Sequence, residues 1–159
     1  IFICLAPPLI LVFSEKHKHL KQQNELHTKE KEELIGKLRL YEEKELTHPF
    51  EFISEAKAEN VSLIISDVIY IKSADNYVEI VYKEGEDTSK ILIRNTLKNI
   101  EKQLKRFANF IRCHRTCIVN THYIQKLEKS DGNYYLVLKN TGDNIPVSRQ
   151  FLLKIREAL

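Results

Sequence analysis

Hydrophobic and polar positions divide the 159-residue chain into three stretches of different period. Residues 1–13, IFICLAPPLILVF, are apolar and uncharged. Residues 15–46 are dense in Glu, Lys, Gln and Leu, with one Gly and no Pro, a helical composition. From Phe50 the pattern becomes that of strands. Residues 61–65 and 68–71 are short apolar runs set apart by Ser66-Asp67. Tyr77, Glu79, Val81 and Lys83 alternate with Val78, Ile80 and Tyr82, a period of two. Residues 84–87 supply a turn and 90–94 return, so 77–94 reads as a hairpin. Leu97, Ile100 and Leu104 then recur at helical spacing, behind Asn95 or Thr96 as cap. Phe107 and Phe110 follow as core anchors. Residues 123–129 and 133–139 form a second hairpin across Ser130-Asp131-Gly132. Ile145-Pro146-Val147 fits only an edge strand, because proline cannot donate to a ladder. Ser148 is placed to cap a closing helix that turns Phe151, Leu152 and Ile155 inward. The expected fold is mostly antiparallel β with short helices over residues 48–159, preceded by a long helix.

The apolar start changes where such a domain would sit. At 1.5 Å per residue, residues 1–13 cover about 20 Å of a roughly 30 Å hydrocarbon core. Pro7-Pro8 would kink a helix there. Lys16, Lys18 and Lys21 follow, a flank that favours the cytoplasmic side. The chain contains no methionine, so further sequence is expected ahead of Ile1. Residues 1–14 are therefore expected to end a transmembrane helix and to anchor a cytoplasmic remainder at the membrane. Over 15–47, a heptad seam of Leu20, Asn24, His27, Lys31, Leu34, Leu38, Tyr41 and Glu45 is only half apolar. It predicts a weak coiled coil in which Asn24 favours a parallel dimer. The alternative is a single charged linker helix held by pairs such as Glu25–Lys29 and Glu33–Lys37. Thr47-His48-Pro49 ends it, since the residue before proline avoids the α region.

Charge adds a partner class. Residues 1–47 hold eight Lys/Arg and eight Asp/Glu, whereas residues 48–159 hold seventeen and fourteen. The whole net charge of +3 thus lies in the β-rich part, which permits nucleic-acid binding without demanding it. Three cysteines make no disulfide framework, and no Gly-rich phosphate loop is present, so no cofactor is expected.

Two stretches wedge polar groups between residues that must be buried: 110–120, FIRCHRTCIVN, and 145–149, IPVSR. In extended chain Arg112 and His114 share one face, Cys113 and Arg115 the other. A turn near 114–116 resolves the conflict and presents His114 and Arg115 at a loop. Asn120 ends the segment, where its amide can hold backbone groups. An exposed arginine on a rigid loop suits guanine or phosphate. The plain alternative is an arginine–carboxylate pair with Glu101 or Asp67. Cys113-His114-x-x-Cys117, with His122 nearby, invites a metal, but Ile118-Val119 between them look like buried strand, so no metal is expected. A Cys113/His114 dyad fails because adjacent strand residues point to opposite faces, and no enzyme is expected. Redox modulation would need a Cys113 or Cys117 thiol whose pKa is lowered by cationic neighbours.

Residues 50–159 resemble a LytTR-type DNA-binding domain of bacterial transcription regulators. The resemblance rests on Asn76-Tyr77, on 95–101 (NTLKNIE) with Leu104, on 110–116 (FIRCHRT), on 118–120 (IVN) with Ile124, and on 145–149 (IPVSR). It implies a compact antiparallel β fold whose loops enter successive major grooves, with two copies on paired direct repeats of double-stranded DNA. By this resemblance Asn76 or Tyr77, Arg115 and Arg149 read bases, since Asn suits adenine and Arg guanine. Arg112, His114, Ser148 and Lys98 would contact phosphates. Where the family often has an aliphatic residue and an aromatic, this chain has Cys113 and Cys117. The competing reading is a β-rich protein-interaction module without specific DNA binding.

Overall fold

In the computed structural model of the chain, residues 6–56, 59–139 and 141–159 are described. The chain divides into two compact units, residues 1–45 and 46–159. Helix α1, Ala6–Thr47, stops just before His48-Pro49, as the restriction on residues preceding proline requires. Its described side chains from Lys21 to Tyr41 are all exposed, including Leu26, Leu34, Leu38 and Tyr41. Of the two expected i,i+4 pairs, Glu33–Lys37 forms, with Lys37 Nζ 2.7 Å from Glu33 Oε1, and Glu25–Lys29 does not. The expected membrane-crossing end at 1–14 is not supported. Residues 1–5 lie outside the described residues, and no helix among the described ones is long and apolar enough to cross a membrane.

The second unit is built from three antiparallel sheets. Strand β1, Pro49–Phe52, pairs with β2, Val61–Ile64. Strands β3 (Val68–Ala74), β4 (Tyr77–Glu84), β5 (Asp87–Ile93), β6 (Phe110–His114) and β7 (Cys117–Asn120) form a five-stranded sheet in the order β5-β4-β3-β7-β6. Strands β8 (Ile124–Ser130), β9 (Asn133–Leu138) and β10 (Asn144–Val147) form a third, in the order β10-β9-β8. Pro146 thus falls on an edge strand, where its missing N–H costs no ladder bond. Asp131 and Gly132 both take positive φ between β8 and β9, the conformation a two-residue hairpin favours.

Strand phase splits the core in two. On one face of the five-stranded sheet, Val78, Ile80, Ile93 and Ile118 pack with Leu97, Ile100 and Leu104 of helix α2 (Leu97–Gln103) and the 3-10 turn after it. On the other, Val81, Ile111, Cys113, Cys117 and Val119 meet Leu136, Leu138, Ile145, Val147 and Ile155 of helix α3 (Leu152–Glu157). A register shift between Val68 and Tyr70 inserts Ile69, so Ile69 and Tyr70 both join the second cluster. Each fully buried isoleucine is worth about 1.5–3 kcal/mol of transfer free energy.

Polar pins fix the framework. Asn120 is wholly buried; its Nδ2 donates to Val68 O at 2.8 Å, and its Oδ1 accepts from His122 N at 3.1 Å and Asn109 Nδ2 at 3.0 Å. Tyr123 donates to Ser66 O at 3.0 Å, and Tyr70 to Asp143 Oδ2 at 2.9 Å. Thr96 caps α2 by accepting from Asn99 N. Buried Asn95 instead donates to Ile53 O at 2.7 Å. Ser148 does not cap through its hydroxyl. It precedes a 3-10 turn, Arg149–Phe151, without a side-chain cap bond, and its backbone serves instead.

Candidate nucleic-acid interface

Two hairpin turns and one strand end meet at one end of the five-stranded sheet. Strand β3 finishes at Ala74, and Asp75-Asn76 turns it into β4. Strand β6 finishes at His114, and Arg115-Thr116 turns it into β7. Because β3 and β7 are antiparallel neighbours, with Lys72 opposite Cys117, these turns lie side by side. Ser73 N donates to Thr116 O at 2.9 Å and ties them together. The third element arrives from the other sheet. Ser148 N donates to Cys113 O at 2.9 Å, which brings Arg149 beside the second turn. The fold therefore gathers Asn76, Tyr77, Arg115 and Arg149 from three separate segments of sequence.

Their exposure suits a surface that meets a partner. Asn76, Arg115 and Arg149 are exposed, and Tyr77 keeps 39% of its surface open. Among the described residues, no hydrogen bond or ion pair holds the Arg115 or Arg149 side chain. Asp75 adopts φ +53°, a left-handed turn conformation that Asp tolerates better than most residues. The turn at 75–76 is shaped by that backbone choice.

The turn at 115–116 is shaped by side chains. The register shift between Arg112 and His114 places an extra residue, Cys113, in β6. Thr116 N donates to His114 Nδ1 at 3.3 Å, so Nδ1 carries no proton. The Thr116 hydroxyl, 2.7 Å away, donates to the same nitrogen. Burial, then the charges of Arg115 and Arg112, lower the His114 pKa from its ordinary value. The ring is therefore neutral at pH 7 and keeps its proton on Nε2.

Arg112 is half-buried with its side chain 21% exposed, and each of its three guanidinium nitrogens donates one hydrogen bond. Its Nη1 donates to Glu101 Oε2 at 2.7 Å, its Nη2 to Arg115 O at 2.6 Å, and its Nε to His114 O at 3.3 Å. An arginine–carboxylate pair with Glu101 does form, but Arg112 makes it and Arg115 stays free. Lys98 stands exposed on the first turn of α2, one turn before Glu101. The sequence pattern offered Glu101 as a pairing carboxylate and placed Thr116 in the turn, but it did not assign Glu101 to Arg112 and did not single out Ser73. One signal was available: an arginine among apolar strand residues needs a carboxylate on the element that covers it.

Cys113 and Cys117 are buried as free thiols. Hydrogen bonding with Cys113 and then burial push the Cys117 thiol well above its usual pKa, which opposes thiolate chemistry there. No group of three or more His, Cys, Asp or Glu among the described residues is placed to hold a metal ion.

Two hairpin turns and a strand end carrying free arginines on an antiparallel β scaffold make a surface suited to a polyanionic partner. The family model of the LytTr DNA-binding domain matches residues 58–159, and the chain belongs to that family. Over 93 residues it is 32% identical to the sensory transduction protein LytT of Bacillus subtilis, covering 58% of this chain and 36% of that protein. Over 98 residues it is 32% identical to the transcriptional regulatory protein BtsR of Escherichia coli, covering 61% of this chain and 38% of that one. Across the relatives given by name the chain spans between 36% and 53% of their length. The solved LytTr DNA-binding domain of a Bacillus cereus response regulator superposes with a TM-score of 0.54, covering 69% of this chain and 94% of that domain. At 22% identity that likeness shows the fold: antiparallel sheets with short helices.

Proposed function

We propose that this chain is the DNA-binding output part of a transcription regulator, and that it recognises a specific duplex sequence in the major groove. The observation that carries the reading is the convergence of Asn76, Arg115 and Arg149 at one sheet end, with both arginines unpaired among the described residues. Arg115 and Arg149 are assigned to guanine O6/N7, and Asn76 to adenine, with Tyr77 packing beside it. The neutral Nε2–H of His114, the Ser148 hydroxyl and Lys98 are assigned to phosphates, which orient the domain without reading sequence. One such surface is small, so two copies on paired direct repeats would multiply a modest affinity when their spacing fits. The exposed helix α1 is the segment available to join them as a dimer.

Selection of bound duplexes from a random pool by the 159-residue chain tests the reading. The expected result is an enriched motif of two similarly oriented half-sites containing guanines. An unenriched pool would favour a protein-interaction module instead.

A further inference from the structure

We propose that Arg112 and Glu101 form a brace that sets how the Arg115-Thr116 turn meets DNA, so that Arg112 is a positioning residue and not a phosphate contact. The inference rests on the DNA reading proposed above and assigns a residue pair that reads no base itself. Strand phase turns Arg112 toward the face covered by α2, opposite Ile111 and Cys113, which join the other core. There its guanidinium donates to three groups: Glu101 Oε2 at 2.7 Å, Arg115 O at 2.6 Å and His114 O at 3.3 Å. A planar fork is what arginine offers and lysine does not. Two of the three acceptors are backbone carbonyls of the turn itself. The third belongs to α2, which packs against β3 and β7 beneath it. The brace therefore ties the turn to the helix that covers the first core cluster.

Charge points the same way. Glu101 neutralises the guanidinium locally, and a carboxylate at that position repels a phosphate approaching Arg112. With Arg112 occupied, the His114 and Thr116 hydrogen bonds close the turn from its other side. The Arg115 carbonyl is held while its side chain is left to solvent. A side chain that must meet a guanine edge bidentately gains from such a fixed origin, because misplacement by about 1 Å forfeits one of its two bonds.

The test uses the full chain, a duplex selected from random sequence and a scrambled duplex of equal length, titrated at several salt concentrations. Two variants are compared, Arg112→Lys and Glu101→Ala. The second lies on an exposed helix position where Ala is a good helix former, so its fold is safeguarded. The brace predicts that both variants lose at least about tenfold in the ratio of selected to scrambled affinity, with the salt slope of Arg112→Lys unchanged. A phosphate-contacting Arg112 predicts the reverse: Arg112→Lys keeps its selectivity, and Glu101→Ala frees the guanidinium and tightens both duplexes equally. That result, or unchanged behaviour in both variants, would overturn the brace. If the wild-type chain itself prefers neither duplex, it is the DNA reading that has failed.

Discussion

The two hairpin turns proposed to read DNA stand next to each other on one sheet and are built by opposite means. Asp75-Asn76 is a two-residue turn whose shape comes from a left-handed backbone at Asp75. Arg115-Thr116 is a two-residue turn held by Arg112, His114 and the neighbouring Ser73 amide. One is set by local conformational preference, the other by a network that reaches into α2. The difference teaches that the second turn is fixed by side chains of other segments, while the first rests on its own backbone conformation. A bidentate arginine needs the former; an asparagine beside a half-exposed tyrosine tolerates the latter.

Several substitutions separate the two. The largest expected effect is on recognition: Arg115→Ala or Arg149→Ala should each cost about 1–3 kcal/mol in binding the selected duplex, with thermal stability unchanged. Calorimetric titration beside a melting curve checks both halves of that statement. Thr116→Val removes the hydroxyl bond to His114 and should cost about 0.5–1.5 kcal/mol of folding stability. The matching change in the other turn, Asp75→Gly, removes no side-chain bond and relieves a positive φ. It should fall within about 0.5 kcal/mol of the parent, and equal losses in urea titrations of the two variants would erase the contrast.

Smaller effects follow from charge. Lys98→Ala should weaken binding to every duplex alike and reduce the salt slope by about 0.9, the signature of one lost phosphate contact. An unchanged slope would remove Lys98 from the interface. The pH response of His114 is smaller still. Its folded pKa is lowered, so the unfolded chain binds this proton first as pH falls through the ordinary value of 6.5. Stability should therefore decline from about pH 6.5 downward and level off below the folded pKa. Protonation also converts Nδ1 from an acceptor into a donor facing the Thr116 N–H, which opens the braced turn. His114→Asn should flatten this part of the stability profile, while Asn76→Ala should leave it intact.

Much of this arrangement was legible in the sequence, for reasons that differ by element. Period-two alternation found β4, and Ser130-Asp131-Gly132 found the β8–β9 turn, because both are local signals. Proline at 146 identified an edge strand by a covalent fact. The strand-phase conflict at 112–115 foretold the turn, and Asn120 holds backbone groups as its position suggested. Other features depend on contacts between distant segments. Strand β1 is four residues long and has meaning only against β2. Glu101 was foreseen as an arginine's partner, but that Arg112 takes it, together with the carbonyls of His114 and Arg115, depends on how α2 covers β6 and β7. Ser148 has the right residue type for a helix cap, yet its amide is drawn to Cys113 and the chain continues as a 3-10 turn. At the amino end, an apolar composition suggested a membrane span, but no helix of sufficient apolar length stands among the described residues.

The central claim is that Arg115 and Arg149 read separate guanines from one sheet end. Methylation interference on the selected duplex tests it most directly, because N7 methylation blocks a bidentate arginine contact. The wild-type chain should show interference at two guanine positions in each half-site. Arg115→Ala should abolish one and Arg149→Ala the other. The same interference pattern in wild type and both variants would contradict the account.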